Sequence, residues 1–418
     1  MWGEMTSGKK VLIVEENSYV PLDRRVWYEA TTLRDAGWQV AVVCPLMLGG
    51  KVTSAQQTGN PQLLEGIRVY RFPLKVARRG IWNYLREYLT AIWGISRLSW
   101  QAWRDDHFDV IQFCNPPDLF APLALLYRML GARAVFDHHD LFPELVQWRF
   151  RGPVRWVLRA FALVGEFTAL RSANVVISTN ESYRRVATDR AKVPPERVVV
   201  VRNGPKREDF APVAPVPDLK RGFPYMAAYA GVMGPEDGVT EVMQSIHYIT
   251  HELGRRDILF VLMGDGAVRS KAQADAAAWG IEDVVVFTGM IHDNLLLRQY
   301  LCTADVLLSP EPRTPLNMRS TFIKVAEYMA MSKPVVAYRL PETQYTAREA
   351  AVFVEPGDAK AFGQAILALL DDPERRRQMG QYGRKRVLEC LTWESQQVEF
   401  FRAYAIALGA KTRAASAF

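Results

Sequence analysis

What this chain lacks narrows it first. Its four cysteines, Cys44, Cys114, Cys302 and Cys390, are scattered and form no CxxC pair. Neither a disulfide framework nor a thiolate metal site is expected, and a reducing cytoplasm suits the chain. No run reaches about 18 uncharged apolar residues, so no membrane-spanning helix is expected. The opening MWGEMTSGKKVLIVEE has no charged-then-apolar leader pattern. The turn after the first apolar run reads NSYVPLD rather than GxGxxG. Neither half of the chain carries that fingerprint with an acidic residue about 20 positions on, which argues against a dehydrogenase. His247 and His251 share a helix face without HExxH or a third ligand, and no Asp-x-Asp pair suggests a divalent ion. No metal and no cofactor are expected.

What is present is a large, apolar and basic chain. At 418 residues it exceeds what one core usually supports. Hydrophobic residues make up 49% and aromatics 11%, enough for sizeable cores. A net charge of +7 suits an anionic partner: a nucleotide-linked substrate, a nucleic acid or an acidic membrane surface. No RNA- or DNA-binding module is visible, so nucleic acid is not expected.

Apolar runs alternate with amphipathic stretches throughout. VLIVEE (11–16), QVAVVC, IRVYRFP, FDVIQFC, ARAVFDHHD, ANVVISTN and RVVVVRNG read as strands. A helix is expected over Asp23 to Ala36, closed by Gly37, and a polar loop over 49–66. The proline-rich PVAPVPDLKRGFP (212–224) reads as a linker. After it YMAAYAG, DILFVLMG, DVVVFTG, ADVLLSP, PVVAY and AAVFVEP restart the alternation. An α/β chain follows, with two doubly wound parallel sheets. The expected domains are 1–211 and 212–392. A helix over 393–418 crosses back to the first and ends in a frayed basic tail.

The most informative stretch is 304–338, which reads as strand, loop, helix, strand. Ser320-Thr321 can cap a helix from Phe322 to Met331. Phe322, Val325, Ala326 and Met329 make its apolar stripe, while Ser320, Lys324 and Glu327 fall on the opposite face. A helix N-terminus attracts anions, Lys324 adds a full charge, and Glu327 can accept hydroxyl hydrogen bonds. That is chemistry for a sugar joined to a phosphate.

Taken together these segments resemble glycosyltransferase family 4, whose GT-B fold sets two Rossmann-like domains across a cleft. The carriers are DRRVWYEATTLRDAGWQVAVVCP, FDHHDLFPEL, VVVVRNG, YAGVMGPEDG, LMGDG, VFTG, KVAEYMAMSKPVVAY and LLDDPERRRQMGQYGR, in that order between residues 9 and 405. The resemblance implies a retaining, metal-independent transfer from a nucleotide diphosphate sugar, with UDP the expected nucleotide. DHHDLFPEL and EYMA are similar to polysaccharide and O-antigen assembly enzymes. That implies a lipid-linked glycan or glycolipid acceptor and a cytoplasmic location on the inner face of the membrane. A nucleotide-sugar epimerase of GT-B fold and a non-catalytic nucleotide-binding subunit are the alternatives. The family's Glu-x7-Glu ends at Glu327 but begins here with Arg319, implying ribose contacts at Glu327 and no first carboxylate. The family's Arg and Lys beside the phosphates would fall at Val232 and Asp237, so Lys324 and Arg319 become the nearest cations.

Other candidates carry two readings each. Gly231, Val232, Met233 and Gly234 either make a tight turn or present backbone N–H groups to phosphate, the reading preferred here. Gly264-Asp265-Gly266 and Thr288-Gly289 either line base and ribose or are structural turns. His138, His139 and Asp140 end a strand, where a satisfied core histidine is the plain reading. By the resemblance His139 aligns with the family's cleft histidine, which touches the sugar or handles the acceptor's proton. The sequence does not separate it from His138, and Asp140 joins the acceptor side. Asp23 either caps the first helix or faces the acceptor with Arg24. The expected catalytic set is thus His139, Lys324, Glu327 and Asp23. Finally, 81–103 and 148–171 interleave Arg with Trp, Tyr and Phe. They read as long helices packed on a sheet that also touch anionic lipid.

Overall fold

The computed structural model describes residues 8–16, 18–47, 61–74, 81–116 and 118–410. The expected loop over 49–60 and the frayed end beyond 410 lie outside these residues. The chain forms two compact units, Met1–Val201 with Gln397–Phe418, and Arg202–Gln396.

The first unit is built on β1 (Lys10–Val14), β2 (Gln39–Met47), β3 (Gln62–Leu64), β4 (Ile67–Leu74), β5 (Val110–Cys114), β6 (Arg133–His138), β7 (Val175–Ser178) and β8 (Val198–Val200). Their order is β3-β4-β2-β1-β5-β6-β7-β8. Every pairing is parallel except β3 with β4. Strands such as VLIV are buried on both faces, as helix-covered parallel sheets require. Strand β3 corrects the expected loop. Glu65 and Gly66 both adopt positive φ and turn the chain back onto β4. Three residues carry too little alternation to announce a strand.

The second unit contains β9 (Tyr225–Ala230), β10 (Ile258–Met263), β11 (Val285–Gly289), β12 (Val306–Ser309), β13 (Val335–Tyr338) and β14 (Ala351–Val354). They run parallel in the order β11-β10-β9-β12-β13-β14. Each sheet winds outward one way and then the other, reversing between β1 and β5 and between β9 and β12. At such a switch point the following loops diverge and leave a crevice beyond the strands' carboxyl ends.

The proline-rich stretch is not where the units divide. Val216 N–H donates to Thr303 Oγ1 (2.9 Å), and Lys220 pairs with Asp305 (2.7 Å), so 212–224 is strapped to the second unit. The division falls at Val201–Arg202. Composition does not distinguish a bound strap from a free hinge.

Candidate functional site

In the second unit the crevice holds a buried ammonium. Helix Ile323–Ala330 begins at Phe322 in extended backbone without a side-chain cap. Ser320 Oγ instead donates back to Leu316 O (3.0 Å), so the expected Ser320-Thr321 cap does not form. Val325, Ala326 and Met329 are buried as the stripe requires. Lys324, expected on the open face, is buried too, with 9% of its surface exposed. Its Nζ lies 2.7 Å from Glu311 Oε1 and donates to the Tyr229 hydroxyl (3.1 Å), standing 4.4 Å above that ring. Burial pulls the ammonium down, yet Glu311 and its neighbours hold it above the usual lysine value. Glu311 also accepts from Ser309 Oγ (2.5 Å). Asp237 completes the group. Burial pushes its carboxyl up to about 6, against the pull of Lys324.

The backbone donors expected to cradle phosphate are largely engaged. Gly231 N–H bonds Met263 O (3.0 Å), Met233 N–H bonds Asp265 O (2.9 Å), and Gly234 N–H bonds Asp237 Oδ2 (2.9 Å). Glycine matters here for close approach. Gly264 has φ +139°, its N–H bonds Gly289 O (2.9 Å), and a Cβ on it would strike the Gly231 carbonyl. The loops after β9, β10 and β11 therefore lace together, and the N–H groups of Gly231, Met233, Gly234 and Gly264 are all bonded within the protein. Val232 is exposed at the rim, its carbonyl accepting from the Tyr229 hydroxyl (2.5 Å). Asp265 is exposed, caps Gly266 N–H (2.8 Å) and pairs with Arg269 (3.5 Å). Arg319 is half-buried and donates to Pro315 O (3.1 Å); Thr321 and Glu327 are half-buried. Asn317 ties the loops on either side of the switch point, donating to Glu236 O (2.8 Å) and Pro312 O (2.9 Å). Away from this crevice, His247 and His251 stack at 4.5 Å on a helix.

The first unit settles the histidines. Side chains alternate along β6, so Asp137 and His139 share one side and His138 takes the other. His138 is fully buried against Tyr183 (5.2 Å between rings), and burial with Arg190 nearby lowers it to about 3. It is a core residue and not part of an acceptor side. His139 keeps 14% of its side chain exposed and sets Nε2 2.6 Å from Asp137 Oδ2. Asn115, at the end of β5, accepts from the His139 and Asp140 amides (2.5 and 3.1 Å) and donates to Asp140 O (2.7 Å). Asp140 is half-buried, its carboxyl raised by that burial. Asp23 is the N-cap of helix Arg24–Asp35, accepting from Val26 N–H (3.0 Å). Its carboxylate serves the helix, and Arg24 is exposed beside it.

The residue overlooked in DRRVW is Arg25. It is buried and forks onto Asp137 through Nη2 (2.8 Å) and Nε (3.0 Å), with Glu29 at 3.2 Å. Glu29, Cys114, Asp137 and His139 gather like ligands for a metal ion. The cation among them is the Arg25 guanidinium, and burial raises Glu29 and Cys114 well above their usual values. That donor set fits an arginine better than a metal. The signals available were an arginine one turn before a glutamate and an aspartate two before a histidine. Neither spacing is distinctive without the fold.

Comparison with known proteins agrees with this architecture. Residues 224–372 match the family model described as glycosyl transferases group 1, and residues 22–204 match the glycosyl transferase 4-like domain. The chain belongs to this glycosyltransferase family. A 2-deoxystreptamine glucosyltransferase of Streptomyces kanamyceticus is 28% identical over 52% of this chain and 54% of its own. A 2-deoxystreptamine N-acetyl-D-glucosaminyltransferase of Streptomyces fradiae is 25% identical over 78% of this chain and 80% of its own. The chain spans about half the length of the first of these relatives. Among solved structures, sucrose-phosphate synthase from Thermosynechococcus elongatus superposes with TM-score 0.75 at 20% identity, covering 96% of this chain and 100% of its own. Anabaena HepE in complex with UDP superposes with TM-score 0.71 at 14% identity, covering 95% and 99%. Both share the GT-B fold with this chain.

Proposed function

We propose that this protein is a retaining, metal-independent glycosyltransferase. It moves a sugar from a UDP-sugar to a hydroxyl of a lipid-linked glycan or glycolipid, in the assembly of cell-surface polysaccharide. The observation that carries this reading is Lys324, a buried ammonium at the switch point of the second sheet, one turn before Glu327. The donor's diphosphate lies against Lys324 and the opening amides of helix Ile323–Ala330, and Glu327 holds the ribose hydroxyls. With three of the loop amides engaged, this helix start and its lysine carry most of the charge stabilisation. Arg319 lies in the turn that leads into that helix. Gly264, Asp265 and Gly289 border the base and ribose.

In the transfer, the bond from the sugar's C1 to the phosphate oxygen breaks and its electron pair leaves with UDP. The acceptor hydroxyl bonds to C1 on the same face, and its proton passes to the departing phosphate oxygen. His139 hydrogen-bonds the reacting sugar or the acceptor hydroxyl from the first unit, with Asp140 beside it.

Two outer faces of the first unit support work at a membrane. Val154, Trp156, Val157, Phe161, Val164 and Phe167 of helix Pro153–Ser172 are all exposed, with Arg155 over Trp156 (4.8 Å). Helix Ile81–Asp105 exposes Arg86, Leu89, Trp93, Arg97 and Trp100 at three- and four-residue spacing. Apolar rows flanked by arginine suit the headgroup region of an anionic bilayer. No helix among the described residues is long and apolar enough to cross a membrane.

A thermal-shift series with UDP, GDP, ADP and dTDP tests the donor site. At a hundredfold excess over Kd, binding adds about 2.7 kcal/mol to stability. UDP is expected to raise Tm and Lys324→Ala to abolish the shift; no shift with any of the four overturns the reading. One observation favours a binding subunit without turnover, since Glu311 already matches the Lys324 charge. UDP release from UDP-glucose separates the two.

A further inference from the structure

The clamp of Arg25 on Asp137 has a consequence for His139, which rests on the transfer reading above. Asp137 is completely buried and uses both oxygens: Oδ1 accepts from Arg25 Nη2 (2.8 Å), and Oδ2 lies 3.0 Å from Arg25 Nε and 2.6 Å from His139 Nε2. Arg25 is tied inward, donating through Nη1 to Val201 O (3.0 Å) with Glu29 at 3.2 Å. Behind it Gln112 Nε2 donates to Glu29 Oε2 (2.6 Å), and the Tyr404 hydroxyl donates to Gln112 Oε1 (2.7 Å). The clamp is therefore backed by Val201, Glu29, Gln112 and Tyr404, all buried, while His139 beside it keeps part of its surface exposed.

Burial alone would neutralise Asp137. Arg25 and then His139 override it and hold the carboxyl well below the usual range, so Oδ2 is an ionised acceptor. Arg25 Nε–H is also directed at His139 Nε2 (3.0 Å), so it competes with Asp137 Oδ2 for that nitrogen. An N–H cannot point into another N–H, and the shorter, charge-assisted contact with the carboxylate decides which atom carries the proton. Nε2 carries it, and Nδ1 is left as the ring's acceptor.

We propose that Asp137, clamped by Arg25, is the positioning residue for His139: it fixes the ring orientation and the Nε2–H tautomer, leaving Nδ1 as the hydrogen-bond acceptor that orients a substrate hydroxyl. The carboxylate keeps its charge throughout and takes no proton, the role a buried aspartate plays toward a catalytic imidazole.

Two measurements test this. The 15N spectrum of histidine-labelled protein needs no substrate: His139 should show Nε2–H in wild type and a tautomer mixture in Asp137→Asn. The second measures UDP release from UDP-glucose. Asp137→Asn should lower kcat on the order of 10²-fold with little change in KM. Adding His139→Ala should cause almost no further loss, because both changes remove one function. Should Asp137→Asn fail to fold, Arg25→Lys keeps the charge but cannot fork onto both oxygens, and should lose the single tautomer with a smaller fall in kcat. An Nδ1–H tautomer in wild type, or losses that multiply in the double variant, overturns the proposal. If wild type releases no UDP, the transfer reading fails and the spectrum alone decides this one.

Discussion

Lys324 Nζ stands 2.7 Å from Glu311 Oε1, and both side chains are buried in the crevice where the second sheet reverses its strand order. A buried pair of this kind contributes modest net stability, because desolvation offsets the attraction. On the proposed donor reading, the pair holds an ammonium in place without excess charge until an anion arrives. Glu311→Gln keeps an oxygen acceptor beside Lys324 and removes the competing charge. UDP should then bind more tightly, by about three- to tenfold at moderate salt. Calorimetric titration of the folded variant checks this, and unchanged or weaker binding would mean that Lys324 does not meet the phosphates.

Asp237 gives the same crevice a pH response. Its carboxyl is pushed up to about 6 by burial. Below that pH it is neutral, and one negative charge near Lys324 disappears. UDP affinity should therefore rise as pH falls from 7.5 to 5.5. The nucleotide's own phosphate titrates nearby, so the decisive quantity is the difference between wild type and Asp237→Asn. The variant should bind more tightly at pH 7.5 and should converge with wild type at low pH. The sign for stability agrees: a carboxyl raised in the folded state costs stability as pH rises from the ordinary carboxylate range through about 6. Parallel curves for the two proteins would remove Asp237 from the site.

Asp23 should behave as a cap and nothing more. Asp23→Ala removes the acceptor for Val26 N–H and should cost about 1 kcal/mol. UDP affinity and UDP release from UDP-glucose should not change once Tm is allowed for. A loss of turnover at full occupancy of the folded state would restore Asp23 to the catalytic set.

The apolar face of helix Pro153–Ser172 can be tested without touching the core. Val157 and Phe161 are 71% and 61% exposed, so Val157→Asp and Phe161→Asp should fold normally. Wild type should sediment with vesicles containing phosphatidylglycerol, less with phosphatidylcholine alone, and less as salt rises. The double variant should stay in the supernatant while UDP binding is unchanged. A concentration-dependent dimer that the variant abolishes, with no vesicle binding, would assign the face to a second copy of the chain.

Particular residues show how far the sequence could be read. The alternation of VLIV, VIQF and VVIS with amphipathic stretches announced two parallel sheets, because strands covered by helices on both faces must be apolar throughout. Asp23 to Ala36 was legible to within one residue at each end, since a cap and a glycine mark its limits. Ser320 misled because a serine beside a helix start is a cap only if the backbone turns there, and here the turn lies earlier, at 315–319. Tyr229 and Arg25 were missed because each acts on a residue far away in sequence, and no local spacing signals that. Glu311 lies within the same stretch as Lys324, but it sits in a loop, where no hydrophobic period tells which way a side chain turns.

The sequence by itself determined the family, the alternating architecture and the two strand ends at which the candidate site residues lie. Those depend on short-range patterns: hydrophobic period, glycine and proline placement, and motifs a few residues long. Only the tertiary structure decided which histidine is buried, which amides are already bonded, and that the ammonium of Lys324 has a carboxylate for company. A buried charge is stable only beside its partner, and parallel strands bring partners together from segments the chain keeps apart.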